Sequence, residues 1–189
     1  PLESVKPVTH EKELSWKELS KIFEGWTAYA VSDSFDEIRK TVVEDNPELD
    51  DFSHKCEVVT RLLEDNIDDY GLNNVRDSMN EKITDWRDTD KVIEGIGYEA
   101  LSQAELNDLQ SSIMKTRWSI FDKLGKDIVK GEVSLDDVQK SFAEYLKNND
   151  FYKELVEDGI VQAPREYFES DREYEEYFKL HADMVMISD

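Results

Sequence analysis

Carboxylates are the side chains best placed to do chemistry in this sequence: 45 Asp and Glu stand against 23 Lys and Arg among 189 residues, a formal net charge of −22. Two carboxyls could serve as general acid and base, but such pairs are too abundant for spacing to single one out. A hydrolase of that kind also needs a concave pocket and one strongly raised carboxyl pKa. The three histidines are His10, His54 and His181, whereas zinc sites draw four ligands in close pairs. His54 and Cys56 lie two apart, which on a helix turns them away from each other. Asp51 and His54 share a face, but the Glu-x-x-His motif of a dimetal bundle does not occur. Lys126 to Asp137 has an EF-hand cadence at Gly131, Val133 and Asp137, yet its first, third and fifth positions are Lys126, Ile128 and Lys130, which offer no carboxylate. Phosphate-binding glycine loops are missing too, since Gly95 and Gly97 lack a third glycine. Cys56 falls in an apolar stripe, where it packs as a small hydrophobe with a raised thiol pKa. The sequence therefore predicts no catalytic residue, no metal and no cofactor, with an unrecognised carboxylate-based hydrolase as the enzymatic alternative.

The surplus of acid is itself the strongest signal. Direct binding to nucleic acid or to an anionic membrane would work against repulsion, and no apolar run is long enough to span a bilayer. A lone cysteine excludes an intramolecular disulfide and points to a reducing, cytoplasmic compartment. Four Trp, eight Tyr and eight Phe imply a folded body beneath the charge. From Glu44 to Asp69 ten acids face only Lys55 and Arg61, while residues 101–150 are nearly balanced. Solubility needs a net charge of only about 2 to 8 in a small domain, so the excess calls for another purpose. Twenty-two charges match roughly 37 Å of duplex at one charge per 1.7 Å. In charge and helicity alone the chain resembles the acidic antirestriction and anti-CRISPR inhibitors and other DNA-mimic proteins, without any motif of those families. That likeness implies a non-enzymatic inhibitor whose carboxylates stand in for phosphates before a basic, nucleic-acid-binding protein. An immunity protein or chaperone for a basic toxin or client is the alternative.

Few glycines and prolines, and apolar spacings of three and four, predict the elements that must carry this surface. Capping boxes at Ser15/Glu18, Ser102/Glu105 and Ser134/Asp137 come with hydrophobic staples; Ser34/Glu37 and Ser170/Glu173 have the box alone. Leu49, Phe52, Cys56, Val59, Leu63, Ile67 and Tyr70 trace a helix from about Asp50 to Tyr70, closed by Gly71. A second long helix, from Gln103 to Leu124, ends at Gly125. Val75, Met79, Ile83 and Trp86 mark another, and Leu135, Val138, Phe142, Tyr145 and Leu146 one more. Trp26 to Val31 and Ile160 to Val161 are the strand candidates.

The expected fold is a mainly α, single compact domain over 1–189 of about seven to nine helices, with room for a small two-stranded β element and a joint near 95–97. On the long helix Asp51, Glu57, Glu64, Asp65, Asp68 and Asp69 avoid the apolar stripe, so with Asp50 they are expected on one solvent-facing negative face. Asp85, Asp88 and Asp90 form a second acidic group. Tyr174 and Tyr177, interleaved with acids near the C-terminus, are candidate interface anchors, against the plainer reading that Tyr174, Phe178 and His181 pack the last helix onto the body.

Overall fold

In the computed structural model, residues 13–28, 34–84 and 102–187 are described, and over them the chain is mainly helical, with eight α-helices and no β-strand. Serine caps set several helix starts as the sequence predicts. α1 (Trp16–Ile22) begins with a complete capping box: Ser15 Oγ accepts from Glu18 N–H, and Glu18 Oε1 accepts from Ser15 N–H. α2 (Phe35–Asp45) is capped by Ser34, whose hydroxyl accepts from Glu37 N–H. It stops at Asn46, ahead of Pro47, where the helical conformation is disfavoured.

α3 (Asp51–Asn66) is capped by the Asp50 carboxylate, which accepts from Ser53 N–H. It is shorter than expected. Ile67 is extended, and after it Tyr70 and Gly71 both take positive φ, 54° and 91°, so Gly71 completes a turn and does not cap this helix. α4 (Leu72–Thr84) follows.

α5 (Gln103–Val129) runs through Gly125, where an end was expected. The glycine serves packing: a Cβ there would lie 2.6 Å from Thr60 Oγ1 and 3.5 Å from the Cys56 carbonyl oxygen, so its missing side chain lets α5 close on α3. Ser134 opens a 3₁₀ turn, Leu135–Asp137, and makes no backbone cap; its hydroxyl donates to Asp137 Oδ2, the shorter acid failing to complete the box. α6 (Val138–Lys147) follows directly. α7 (Asp150–Glu157), which the sequence reading did not mark, is capped by Asn149 and ends before Gly159 at φ 73°. α8 (Asp171–Ile187) starts with Ser170 Oγ accepting from Glu173 N–H.

Ala28 makes a single bridge where the first strand was expected, residues 29–31 lie outside the described residues, and Ile160 and Val161 form a loop. Trp86 and the expected joint at Gly95 to Gly97 also lie outside the described residues.

The chain groups into two units, Pro1–Ile67 with Phe121–Ser141, and Asp68–Ile120 with Phe142–Asp189. The first has its core in Leu19, Phe23, Ile38, Val42, Val59, Leu62, Leu63, Phe121, Leu124 and Ile128. In the second, Leu72, Met79, Leu106, Ile113, Phe142, Leu146, Tyr152 and Leu155 are buried. Apolar burial of this kind is worth roughly 1.5–3 kcal/mol per large side chain, and it holds the helices that present the charge.

Candidate partner-binding surface

In the first unit the acids gather at a corner. Glu44 and Asp45 end α2, Glu48 lies in the turn, and Asp50 and Asp51 open α3; all five are exposed, and no Lys or Arg occurs between Lys40 and Lys55. The corner has a hydrogen-bonded underside. His54, buried on the first turn of α3, hydrogen-bonds through Nε2 to the Asn46 carbonyl at 2.6 Å, and Asn46 Nδ2 donates to the Val42 carbonyl. Because a carbonyl only accepts, that histidine nitrogen carries a proton.

Asp50 and Asp51 also serve the fold. The capping bond of Asp50 satisfies a helix-end N–H. Asp51 accepts from the Trp16 indole N–H at 2.6 Å and pairs with Lys55 at 2.9 Å. Lys55 is buried, and Glu13 holds its ammonium from another side at 2.9 Å. Partial burial pushes the Asp51 carboxyl up, but bonds from Lys55 and Trp16 and the nearby Arg39 outweigh this and hold its pKa below the ordinary carboxylate value. For Lys55 burial pushes down, while Glu13 and Asp51 together raise the ammonium above its ordinary value. These are settings for a paired anion and cation, and a general acid would need the opposite shift at Asp51.

Along α3 the negative face is narrower than expected. His54, Lys55, Cys56, Val58, Val59, Thr60, Leu62 and Leu63 are all buried, so burial takes in most of the helix circumference over that span. Glu57 and Glu64 are half-buried, with Arg61 between them and paired with Glu57; Asp65 is exposed near the helix end. The expectation that Asp68 and Asp69 continue this face is corrected: both lie beyond the end of α3, in the second unit. Asp68 is exposed and its Oδ1 accepts from Tyr70 N–H. Asp69 is buried, and Arg117 on α5 donates to it at 2.8 Å, which accounts for an acid off the solvent side. Asp85, Asp88 and Asp90 lie outside the described residues.

The tyrosines belong to an aromatic chain in the second unit. Phe168 touches Tyr167, Tyr174 and Tyr177, with ring centroids 4.9–5.6 Å apart, and Tyr174 meets the exposed Phe178. Tyr177 OH donates to the Val161 carbonyl and accepts from Ala163 N–H, tying α8 to the preceding loop. Burial raises its pKa against the opposing effect of the Ala163 bond. Tyr174 is half-buried, on the first turn of a helix that also exposes Asp171, Glu173, Glu175 and Glu176.

A cleft of about 670 Å³ between α1 and α2 is lined by Trp16, Lys17, Ser20, Lys21, Glu24, Asp36 and Arg39, so the anionic surplus is locally reversed there. Arg39 lies 4.2 Å over the Trp16 ring. Among the described residues no three of His, Cys, Asp and Glu converge as metal ligands would, and no helix is long and apolar enough to cross a membrane.

Glu44, Asp45 and Glu48 were not singled out from sequence, although the absence of bases from 41 to 54 was a readable signal. Comparison with protein-family models, with curated proteins and with solved structures finds no match to this chain.

Proposed function

We propose that this is a binding protein that captures a basic, nucleic-acid-binding protein through its negative surface, its carboxylates occupying the places of phosphates. The observation that carries the reading is the corner between α2 and α3, where five exposed carboxylates follow one another with no Lys or Arg between Lys40 and Lys55, Asp51 among them paired with Lys55, on a turn braced by His54 and Asn46. A partner groove lined with Lys and Arg sheds its counterions on meeting such a surface, and charge-assisted hydrogen bonds then fix the pose. The acids of α8 beside Tyr174 offer a second candidate surface, where an aromatic ring stands among carboxylates.

The test is capture of the partner from the source cell at two salt concentrations, followed by competition with the partner's own nucleic acid. Capture falls steeply with salt and is displaced by nucleic acid. The grouped variant E44Q/D45N/E48Q/D50N loses it while remaining folded, since Asn preserves the cap at position 50. Salt-insensitive capture, or capture untouched by the grouped variant, refutes the proposal.

A further inference from the structure

Within the second unit, α5 carries a face whose chemistry differs from the rest of the surface. Trp118 is 59% exposed and Met114, one turn earlier, 41% exposed, both large apolar side chains turned to solvent. Beside them Ala104, Asp108, Ser111 and Lys115 are exposed too, so that 104, 108, 111, 115 and 118 form one stripe at spacings of four and three, with Trp118 as its large apolar residue. The inner side of the helix is taken by the buried Leu106 and Ile113; at its margin Gln110 bonds to Asn80 and Arg76 of α4 reaches Sδ of the partly exposed Met114 at 3.8 Å.

Electrostatics selects what covers this stripe. Lys115 stands in the stripe one turn before Trp118, and Arg76, beside Met114, is paired with Asp77, so the charge around the apolar anchor is balanced where most of the surface is anionic. Along the stripe itself the one acid, Asp108, is balanced by the one base, Lys115, both exposed. Two molecules of net charge −22 repel least where each presents a neutral surface. The stripe is also self-complementary. When two α5 helices cross antiparallel about a two-fold axis near Ser111, Asp108 of each copy faces Lys115 of the other, and each Trp118 falls beside the small Ala104 of its mate.

We infer that the occupant is a second copy of this chain, in a two-fold dimer seamed by α5. The stripe from 104 to 118 is about 21 Å long at 1.5 Å per residue, short for a standard interface, which places the dimer in the transient class. Its dependence on salt is opposite in sign to that of partner capture: salt screens the repulsion between two anionic bodies and strengthens self-association.

Sedimentation equilibrium of the full chain from low to high micromolar concentration, at low and high salt, tests the inference. The wild-type chain dimerises reversibly, and more tightly at high salt. Trp118→Ala, a change at an exposed site, weakens dimerisation by about tenfold or more. Asp108→Lys and Lys115→Asp each weaken it by about fivefold, because each places like charges together twice; the double variant restores it. The two single changes move the net charge in opposite directions, so weakening by both reports the local pairing. A chain that stays monomeric throughout, or a double variant that fails to recover, overturns the inference and leaves partner capture unaffected.

Discussion

Asp69 and Arg117, 48 residues apart in sequence, form a 2.8 Å ion pair whose side chains are 9% and 13% exposed. Taking one partner from such a pair leaves a charge buried without its counterpart. Asp69→Asn is therefore expected to lower stability by about 3 kcal/mol. Asp68→Asn, at an exposed position whose side-chain oxygen still accepts from Tyr70 N–H, is expected to change it by less than about 0.5 kcal/mol. Urea denaturation of both variants checks the contrast, and equal losses would contradict the assignment.

A side chain at 125 has no place to go. Gly125→Ala is expected to cost about 1–3 kcal/mol, the range for overpacking a filled interior, and Thr60→Ala in the same chain to recover part of that loss by removing the hydroxyl 2.6 Å from the new methyl. A double-mutant cycle reads the coupling; strict additivity would mean that the two helices separate freely at this point.

Stability should fall at both ends of the pH range for different reasons. The Asp51 pKa is lowered on folding, so its contribution is present above the unfolded value near 3.8 and is lost as pH falls through the lower folded value. The Lys55 pKa is raised, so its contribution is present below 10.5 and is lost as pH rises through the folded value. Burial pushes the Cys56 thiol from 9.0 up to about 12, so between those values the unfolded chain releases a proton that the native chain keeps, and stability declines. Cys56→Ala is expected to flatten the part of the alkaline limb that begins near pH 9, at a lower absolute stability. The urea midpoint followed against pH decides this, and an unchanged limb would show that Cys56 is not buried in solution.

Tyr177 and Tyr174 should separate folding from binding. Tyr177→Phe removes a hydroxyl that serves both the Val161 carbonyl and Ala163 N–H, and a loss of about 1–2 kcal/mol is expected. Tyr174→Ala costs less, since its ring is half-exposed, and reduces partner capture several-fold if α8 belongs to the binding surface. Thermal melts and pull-downs on the same two proteins give both readouts.

Local grammar was legible in the sequence and distant pairing was not. Ser15, Ser34, Ser102 and Ser170 announce their helices because a cap is satisfied by neighbours three residues away. Asn149 and Gly159 carried the same signal for α7, framing Tyr152, Leu155 and Val156. Gly125 misled because glycine serves both a helix end and a close helix contact, and which of these it serves depends on Thr60, far off in the chain. On α3, Lys55 and His54 look like surface residues until Glu13, Asp51 and the Asn46 carbonyl are seen to satisfy them. Asp69 left the acidic face for the same reason, its partner lying on a helix that periodicity alone does not bring near.

The glycine at 125 also constrains how this protein can change over generations. Thr60 and Gly125 are coupled through one contact: a chain that gains a methyl at 125 first meets the full clash, whereas one that sheds the hydroxyl at 60 first is left with the ordinary approaches of the Cys56 carbonyl oxygen at 3.5 Å and the Thr60 nitrogen at 3.6 Å. The easier order of those two replacements is thus set by the 2.6 Å approach at Thr60 Oγ1.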